Sequence, residues 1–149
     1  MKKILIWGTG NIARQVIENG IHGEIIGFID TNKSVETFKG KSVYNIGEIP
    51  EEYDVILVAN SFTNEVYEIC QTKKIPLNKV LFLKGGNRQE SFNNLAIIKD
   101  IIGEKNYVNY CAEIGTVENT FFFEDVKKYS ELNTRKSFEI KERYMWPII

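Results

Sequence analysis

The chain has 149 residues, of which 43% are hydrophobic and 26% charged, a composition typical of globular proteins. This length suits one domain, or one domain with an incomplete second. Nineteen basic and 20 acidic residues give a formal net charge of -1, which provides no field to attract nucleic acid or an anionic membrane. No segment approaches the ~20 apolar residues of a membrane span, so we expect a cytoplasmic protein.

The first thirty residues carry the strongest pattern in the chain. The apolar run at 3–7 predicts a strand, and Gly8-Thr9-Gly10-Asn11-Ile12-Ala13 follows it directly, with Ala13, Val16 and Ile17 on one helical face. A second apolar run at 24–29 ends at Asp30. Strand, glycine turn, helix, strand and acid in this order match the dinucleotide-binding fingerprint in its G-x-G-x-x-A form.

Each position of the glycine turn has a physical role. Gly8 permits the sharp turn out of the strand, and Gly10 lacks the Cβ that would keep a diphosphate away from the backbone. Ala13 allows the helix to lie close to the sheet. The backbone N–H groups near Asn11 and Ile12 then point toward the anion, and the helix dipole adds to the attraction.

Asp30 follows Gly8 by 22 residues, close to the ~20 expected for an acid that accepts hydrogen bonds from ribose hydroxyls. Its carboxylate repels a 2′-phosphate, which favours NAD-like over NADP-like ligands. The next residues, Thr31 and Asn32, begin a loop at the carboxyl end of the strand, where open α/β sheets bind ligands. They are predicted either to contact a ribose or base, or only to form the turn.

Residues 31–53 show little helical periodicity, which predicts a short irregular crossover with an extended piece at 40–44. The run at 54–59 is continuously apolar after Asp54, as in a central parallel strand buried on both faces. Ala59, Asn60 and Ser61 end this strand and should face the glycine turn across the crevice. Ser61 is predicted as a ligand contact or as the N-cap of the following helix.

A helix is predicted over 62–73, with Phe62, Val66, Ile69 and Cys70 as its buried stripe, and a strand over 79–83. Four strands and two helices suffice for a Rossmann-like α/β fold, a three-layer parallel sheet with right-handed crossovers. Cys70 is expected to be a buried thiol and His22 a solvated loop residue. With two cysteines and a single histidine, a structural zinc site is not expected.

The pattern changes after residue 84. A helix is predicted at 95–102, ended by Gly103, and residues 107–115 are mixed. Three adjacent aromatics at 121–123, a charged run at 127–143 and an apolar end at 144–149 complete the chain. We expect a nucleotide-binding domain at 1–84 and a helical or irregular extension at 85–149. The apolar end should contact another domain, a partner chain or a missing continuation, or else fold back onto its own sheet.

Four segments together carry a resemblance: GTGNIA at 8–13, GFID at 27–30, GKSV at 40–43 and YDVILVA at 53–59. They resemble the small Rossmann-like domain at the front of several bacterial surface-polysaccharide enzymes. These include sugar O- and N-acyltransferases of the sialic-acid and bacillosamine type and the nucleotide-sugar dehydratases of capsule synthesis. In the acyltransferases this domain binds the UDP-sugar substrate. The resemblance covers about residues 3–84.

The resemblance implies a phosphate held by the glycine turn, a ribose held by Asp30 and a far wall formed by 59–61. The chain departs from these enzymes after residue 84, because it has neither a hexapeptide-repeat β-helix nor a second glycine-rich fingerprint with a Tyr-x-x-x-Lys pair. Its later part is similar to the linker that precedes the methyltransferase half of some two-part proteins of surface-glycan gene clusters. Residues 112–116 faintly resemble a SAM-binding motif, without its later glycines.

We therefore expect a nucleotide or nucleotide-sugar binding module for surface-polysaccharide biosynthesis that is not catalytic on its own. The ligand is NAD or a UDP-type nucleotide sugar, and the partners are a second copy of the chain or a missing C-terminal catalytic domain. The alternatives are an NAD-dependent oxidoreductase for a sugar or small hydroxy substrate, the N-terminal part of a SAM-dependent methyltransferase, and an empty oligomerisation scaffold. No catalytic or metal-binding residue is predicted. The predicted binding residues are Gly8, Thr9, Gly10, Asn11, Ile12, Asp30, Thr31, Ala59, Asn60 and Ser61.

Overall fold

The structure, a computed structural model, describes residues 1–85, residue 92 and residues 95–116. The features predicted at 121–123, 127–143 and 144–149 lie outside these residues. The chain divides into two compact units, Met1–Tyr107 and Val108–Ile149. In the part that the structure describes, no helix combines the length and apolar character needed to cross a membrane. The predicted boundary at residues 84 and 85 stays a prediction.

The sheet has six strands in the order β3-β4-β2-β1-β5-β6. All neighbouring strands are parallel except β3, which runs antiparallel to β4. The α/β class with a mostly parallel sheet is therefore confirmed. The strands are β1 (Lys3–Trp7), β2 (Glu24–Ile29), β3 (Thr37–Phe38), β4 (Lys41–Tyr44), β5 (Val55–Val58) and β6 (Val80–Phe82). The helices are α1 (Asn11–Glu18), α2 (Thr63–Thr72), α3 (Leu95–Ile102) and α4 (Glu104–Thr116), with 3-10 turns at Ile46–Glu48 and Leu77–Lys79.

The two central strands are buried on both faces, as the continuous apolar runs predict. Residues 4–7 of β1 and 55–58 of β5 are each at most 1% exposed. Val66 and Cys70 of α2 pack with β1 and β5 in one apolar cluster. The β1-α1-β2 and β5-α2-β6 units lead away from β1 and β5 in opposite directions, so right-handed crossovers place α1 and α2 on opposite faces.

The count of four predicted strands in residues 1–84 is wrong, because residues 37–44 form a hairpin that extends the sheet. Lys39 and Gly40 have φ values of 53° and 80°, the left-handed conformation that closes a tight two-residue turn. β4 then pairs in parallel with β2, Val43 opposite Phe28. The Phe38 ring packs edge-on to the Phe28 ring at 4.8 Å between centroids and holds the hairpin against the sheet.

The mixed segment predicted at 107–115 is instead helical and belongs to α4. Its buried positions include Asn106, Tyr110 and Cys111, at 4%, 1% and 5% exposure. These positions have helical spacing, but the first of them is occupied by a polar residue. The apolar stripe by which a helix is recognised in sequence is therefore interrupted where α4 begins.

Asn106 links the beginning of α4 to the ends of two other helices. Its amide nitrogen donates to the carbonyls of Val16 at 2.9 Å, Ile102 at 2.9 Å and Gly20 at 3.3 Å. Its amide oxygen accepts from Asn19 Nδ2 at 3.0 Å. The last carbonyls of a helix have no intrahelical donor, so Asn106 supplies the C-terminal caps of both α1 and α3.

Burial makes the Cys70 thiol a poor nucleophile in the folded protein. The residue is 0% exposed, and desolvation raises its pKa to about 11. We expect Cys70 to react with iodoacetamide at pH 7.5 at least ~100-fold more slowly than in the denaturant-unfolded chain, because the thiolate is the reactive form. Peptide mass mapping after timed labelling measures this rate. Labelling of Cys70 at the rate of an exposed thiol would contradict it.

Candidate functional site

The ends of three adjacent strands bring the predicted binding residues to one edge of the sheet. Trp7, the last residue of β1, pairs with Ile29 of β2 on one side and with Val58 of β5 on the other. The residues that follow these three therefore start from the same level of the sheet, about 5 Å apart from strand to strand. The glycine turn lies in the middle, Asp30 on the β2 side and Ala59 on the β5 side.

Gly8 makes the turn out of β1 in a space that admits no side chain. Its φ is 141°, and its N–H donates to the Ile29 carbonyl at 2.9 Å. A Cβ at this position would lie 2.5 Å from the Ala59 carbonyl oxygen. The glycine predicted to permit the turn is thus required both by its backbone conformation and by the close approach of β5.

Gly10 is a different case, because its backbone is extended and its surroundings are open. Its φ and ψ are -104° and -154°, and a Cβ built on it meets no atom within 4 Å. The first backbone hydrogen bond of α1 runs from the Arg14 N–H to the Gly10 carbonyl at 3.1 Å. The N–H groups of residues 11–13 accordingly have no intrahelical acceptor, and together with the helix dipole they suit an anion.

The Asp30 carboxylate is held in a defined orientation beside the glycine turn. Its Oδ2 accepts from the Thr9 hydroxyl at 2.9 Å, and its Oδ1 accepts from the Asn32 N–H at 3.1 Å. Each carboxylate oxygen has more than one acceptor site, so both retain capacity for a ribose hydroxyl. Thr31 is exposed beside it, and its hydroxyl oxygen accepts from the Trp7 indole N–H at 3.1 Å.

Lys33 lies in the loop after Asp30, and its charge is balanced by two carboxylates. Its Nζ lies 3.2 Å from Glu36 and 3.6 Å from Glu48, and its side chain is only 14% exposed. A hydrogen bond to Glu36 raises the pKa of Lys33. The backbone N–H of Asn45, with Lys33 beside it, lowers the pKa of Glu48. These contacts attach the loop to the 3-10 turn at Ile46–Glu48.

On the β5 side, Asn60 connects the next turn to the end of β1. Its amide nitrogen donates to the Trp7 carbonyl at 3.2 Å, and its amide oxygen accepts from the Phe62 N–H at 2.9 Å. Both functional groups of Asn60 thus have partners within the protein. Ala59 is 1% exposed and its carbonyl oxygen lies against Gly8, so its predicted ligand contact stays a prediction.

The predicted role of Ser61 as a helix N-cap is wrong. The N-cap position of α2 is Phe62, and no side chain caps this end. Asn60 forms the local turn by accepting from the Phe62 N–H, which moves the start of the helix one residue beyond the predicted cap. Ser61 itself is exposed at the edge of the sheet, where its predicted ligand contact stays a prediction.

Phe62 was expected in the buried stripe of the helix, and this expectation is also wrong: the residue is 62% exposed. Because α2 starts at Thr63, the helical period does not extend back to Phe62. Thr63 takes the inward position at 8% exposure, and its hydroxyl donates to the Lys84 carbonyl at 2.9 Å. The helix therefore contacts the exit of β6 through a threonine, and the phenylalanine ring faces solvent.

Sequence reasoning singled out none of Trp7, Lys33 and Phe62, which also lie at this edge of the sheet. Trp7 carried one usable signal, since a buried indole N–H needs an acceptor and the residue stands at a strand end. Nothing in the sequence indicated that Lys33 pairs with Glu48, 15 positions away. Within the described residues, no group of three or more His, Cys, Asp or Glu side chains is placed to hold a metal ion.

The strand order and the glycine turn between β1 and α1 define a Rossmann-like α/β protein. A family model described as C2185-like, N-terminal matches residues 1–81, more than half of the chain, and the chain belongs to this family. The matched segment contains all the predicted binding residues, from Gly8 to Ser61. No curated protein matches the sequence.

Proposed function

We propose that this chain is a nucleotide-binding module that holds the phosphates of its ligand over the glycine turn. The observation that carries the proposal is the open space at Gly10, where a Cβ would meet nothing within 4 Å, directly before the N-terminus of α1. A turn that needed glycine only for its backbone shape would require a positive φ there, and Gly10 has a φ of -104°. Gly10 is also the N-cap of α1, a position that favours glycine, and we infer that close approach of a ligand is a further reason for a glycine here.

The charges around Asp30 favour a ligand whose ribose keeps its hydroxyl groups. The carboxylate is oriented by Thr9 and by the Asn32 N–H, and it accepts hydrogen bonds from hydroxyls but repels a phosphate. Lys33 would be the nearby cation for a 2′-phosphate, but Glu36 and Glu48 neutralise it. NAD and UDP-sugars fit these charges, whereas NADP does not.

Between these two ligands, we favour a UDP-type nucleotide sugar because of the resemblance to the front domains of surface-polysaccharide enzymes. The module would then serve a cytoplasmic step of glycan synthesis by presenting the nucleotide sugar to a catalytic domain or to a partner chain, including a second copy of itself. An NAD-dependent oxidoreductase is the second candidate, and the spacing from Gly8 to Asp30 supports it. Whether the protein binds a UDP-sugar or NAD distinguishes the nucleotide-sugar module from the oxidoreductase.

Replacement of Gly10 by valine is expected to abolish nucleotide binding while leaving the protein folded. The extended backbone at Gly10 accepts a side chain, and the empty space around it accommodates one, but a bound phosphate would clash with it. We expect affinity to fall at least tenfold, with a change in unfolding free energy below ~1 kcal/mol. Calorimetric titration with UDP-N-acetylglucosamine, NAD and NADP measures the affinities.

Gly47→Val is the matched control, because Gly47 also has open space around its Cβ position but lies in the 3-10 turn after β4. It should bind as the wild type does. Binding of UDP-N-acetylglucosamine that Gly10→Val removes would support the nucleotide-sugar module, and binding of NAD alone would favour the oxidoreductase. If the wild type binds none of the three below millimolar concentration, the proposal is wrong.

A further inference from the structure

Phe62 stands exposed at the carboxyl edge of the sheet on a rigid backbone. Its side chain is 62% exposed, although it lies between a fully buried strand and a helix. Its N–H donates to Asn60 Oδ1 at 2.9 Å, and its carbonyl accepts from the Val66 N–H at 2.9 Å. Both backbone groups are thus engaged, and the ring projects from a fixed point.

The turn that carries Phe62 lies directly against the glycine turn. Asn60 Nδ2 donates to the Trp7 carbonyl, and the Ala59 carbonyl oxygen lies 2.5 Å from where a Cβ of Gly8 would be. On the opposite side, Thr9 of the glycine turn is bonded to Asp30. A nucleotide with its phosphate at 10–12 and its ribose at Asp30 therefore has Phe62 on the other flank of the same turn.

The two flanks of the site differ in character. Lys33 and Glu36 of the loop after Asp30, with Glu48 of the 3-10 turn after β4, place charged groups on the β4 side, where the face of a base would find an ionic surface. The β5 side presents an aromatic ring with an exposed hydroxyl, that of Ser61, next to it. A nucleobase stacks on an aromatic side chain through its π face. The aromatic flank thus suits the base better than the charged one.

We propose that the ring of Phe62 stacks on the nucleobase of the bound ligand and supplies base affinity without base specificity. This inference rests on the proposed nucleotide-binding function. Phenylalanine has no hydrogen-bonding group, and every base has a π face, so the contact discriminates little between adenine and uracil. Stacking should therefore raise the affinity for every nucleotide relative to that for a ligand that lacks a base.

The test compares ligands with and without a base on Phe62 variants. We expect Phe62→Ala to lower the affinity for ADP and UDP by about five- to twentyfold and to leave the affinity for ribose 5-phosphate unchanged. Chemical-shift titration measures these affinities. Phe62→Trp should restore the affinity for ADP, and the emission of the new indole should be quenched by ADP but not by ribose 5-phosphate. Because Phe62 is exposed, these variants should fold normally.

Val35→Ala is the control, since Val35 is an exposed apolar residue, 46% accessible, on the charged flank of the site. It should leave the affinities for ADP and UDP unchanged. Stacking is refuted if Phe62→Ala leaves nucleotide affinity intact or lowers the affinity for ribose 5-phosphate equally. It is also refuted if the indole fluorescence of the Phe62→Trp variant does not respond to ADP. If Gly10→Val still abolishes binding in these cases, nucleotide binding stands and only the role of Phe62 fails. A wild type that binds neither ADP nor UDP overturns both proposals.

Discussion

Gly8→Ala is expected to lower the free energy of unfolding by about 3 kcal/mol or more, and the melting temperature by about 10 °C. Two separate costs contribute. The φ of 141° is a conformation that residues with a Cβ rarely adopt, and the added Cβ would lie 2.5 Å from the Ala59 carbonyl oxygen. That oxygen is a backbone atom, and the neighbouring Ala59 N–H is bonded to the Trp7 carbonyl at 3.0 Å, so it cannot move away without disturbing the sheet.

Chemical denaturation and calorimetry of the full chain measure the loss. Gly47→Ala is the matched control, because it adds the same methyl group at an ordinary φ with no atom within 4 Å. It should change the unfolding free energy by less than ~1 kcal/mol. Equal melting temperatures for the two variants would show that the Cβ position of Gly8 is more than 2.5 Å from the Ala59 carbonyl oxygen.

Asn106→Asp is expected to destabilise the protein by about 3 kcal/mol or more at pH 7. The residue is 4% exposed, and its amide nitrogen faces the carbonyls of Val16, Gly20 and Ile102. Aspartate has the same shape but places a carboxylate against three carbonyl oxygens, where no donor replaces the lost N–H groups. The C-terminal ends of α1 and α3 then lose their caps, and a charge is buried with no cation beside it and only the Asn19 amide as a donor.

The destabilisation should depend on pH with a definite sign. Burial against acceptors raises the pKa of the new carboxyl in the folded state above the ~3.9 of the unfolded chain. The stability difference from the wild type should therefore be smallest below about pH 4, where the carboxyl is protonated in both states. It should grow as the pH rises through the higher folded pKa. Denaturation of both proteins between pH 4 and 8 measures this difference.

The exposed Asn109 on the same helix provides the control substitution Asn109→Asp. It introduces the same charge in water and should leave stability within ~0.5 kcal/mol of the wild type at every pH. A flat pH profile for Asn106→Asp, parallel to that of the control, would mean that the Asn106 side chain is not enclosed by the helix ends.

Predictions from local pattern succeeded where a segment's own apolar residues decide its structure. The runs predicted at 3–7 and 54–59 form strands that are buried on both faces at residues 4–7 and 55–58, and Cys70 is buried in α2 as its helical spacing predicts. The glycine turn formed where the fingerprint places it, because the positive φ of Gly8 is a local requirement that glycine meets. The predicted ligand contacts stay predictions.

The errors occurred where a distant contact decides the outcome. The extended piece predicted at 40–44 is confirmed as β4, but its pairing in a hairpin and with β2 was not predicted. The two strands of the hairpin are short and polar, and they pair because β2 offers an open edge and the Phe38 ring packs on Phe28. The beginning of α4 was obscured because Asn106, a polar residue, occupies a core position that only the ends of α1 and α3 make favourable. From the sequence alone, Lys33 could be taken for an unpaired cation that binds a phosphate. In the folded protein Glu48 lies beside it and balances its charge.

The amino-acid sequence by itself determined the α/β class, the central strands and the positions of the glycine turn and Asp30, because periodicity, β-branched runs and glycine conformation act over a few neighbouring residues. Only the tertiary structure decided that Phe62 is exposed and Thr63 buried, since the hydrogen bonds of Asn60 and Thr63 set where α2 begins. It also decided that the charge of Lys33 is neutralised. Both outcomes depend on a contact between distant segments, Thr63 with the Lys84 carbonyl and Lys33 with Glu48, and no local pattern contains that information.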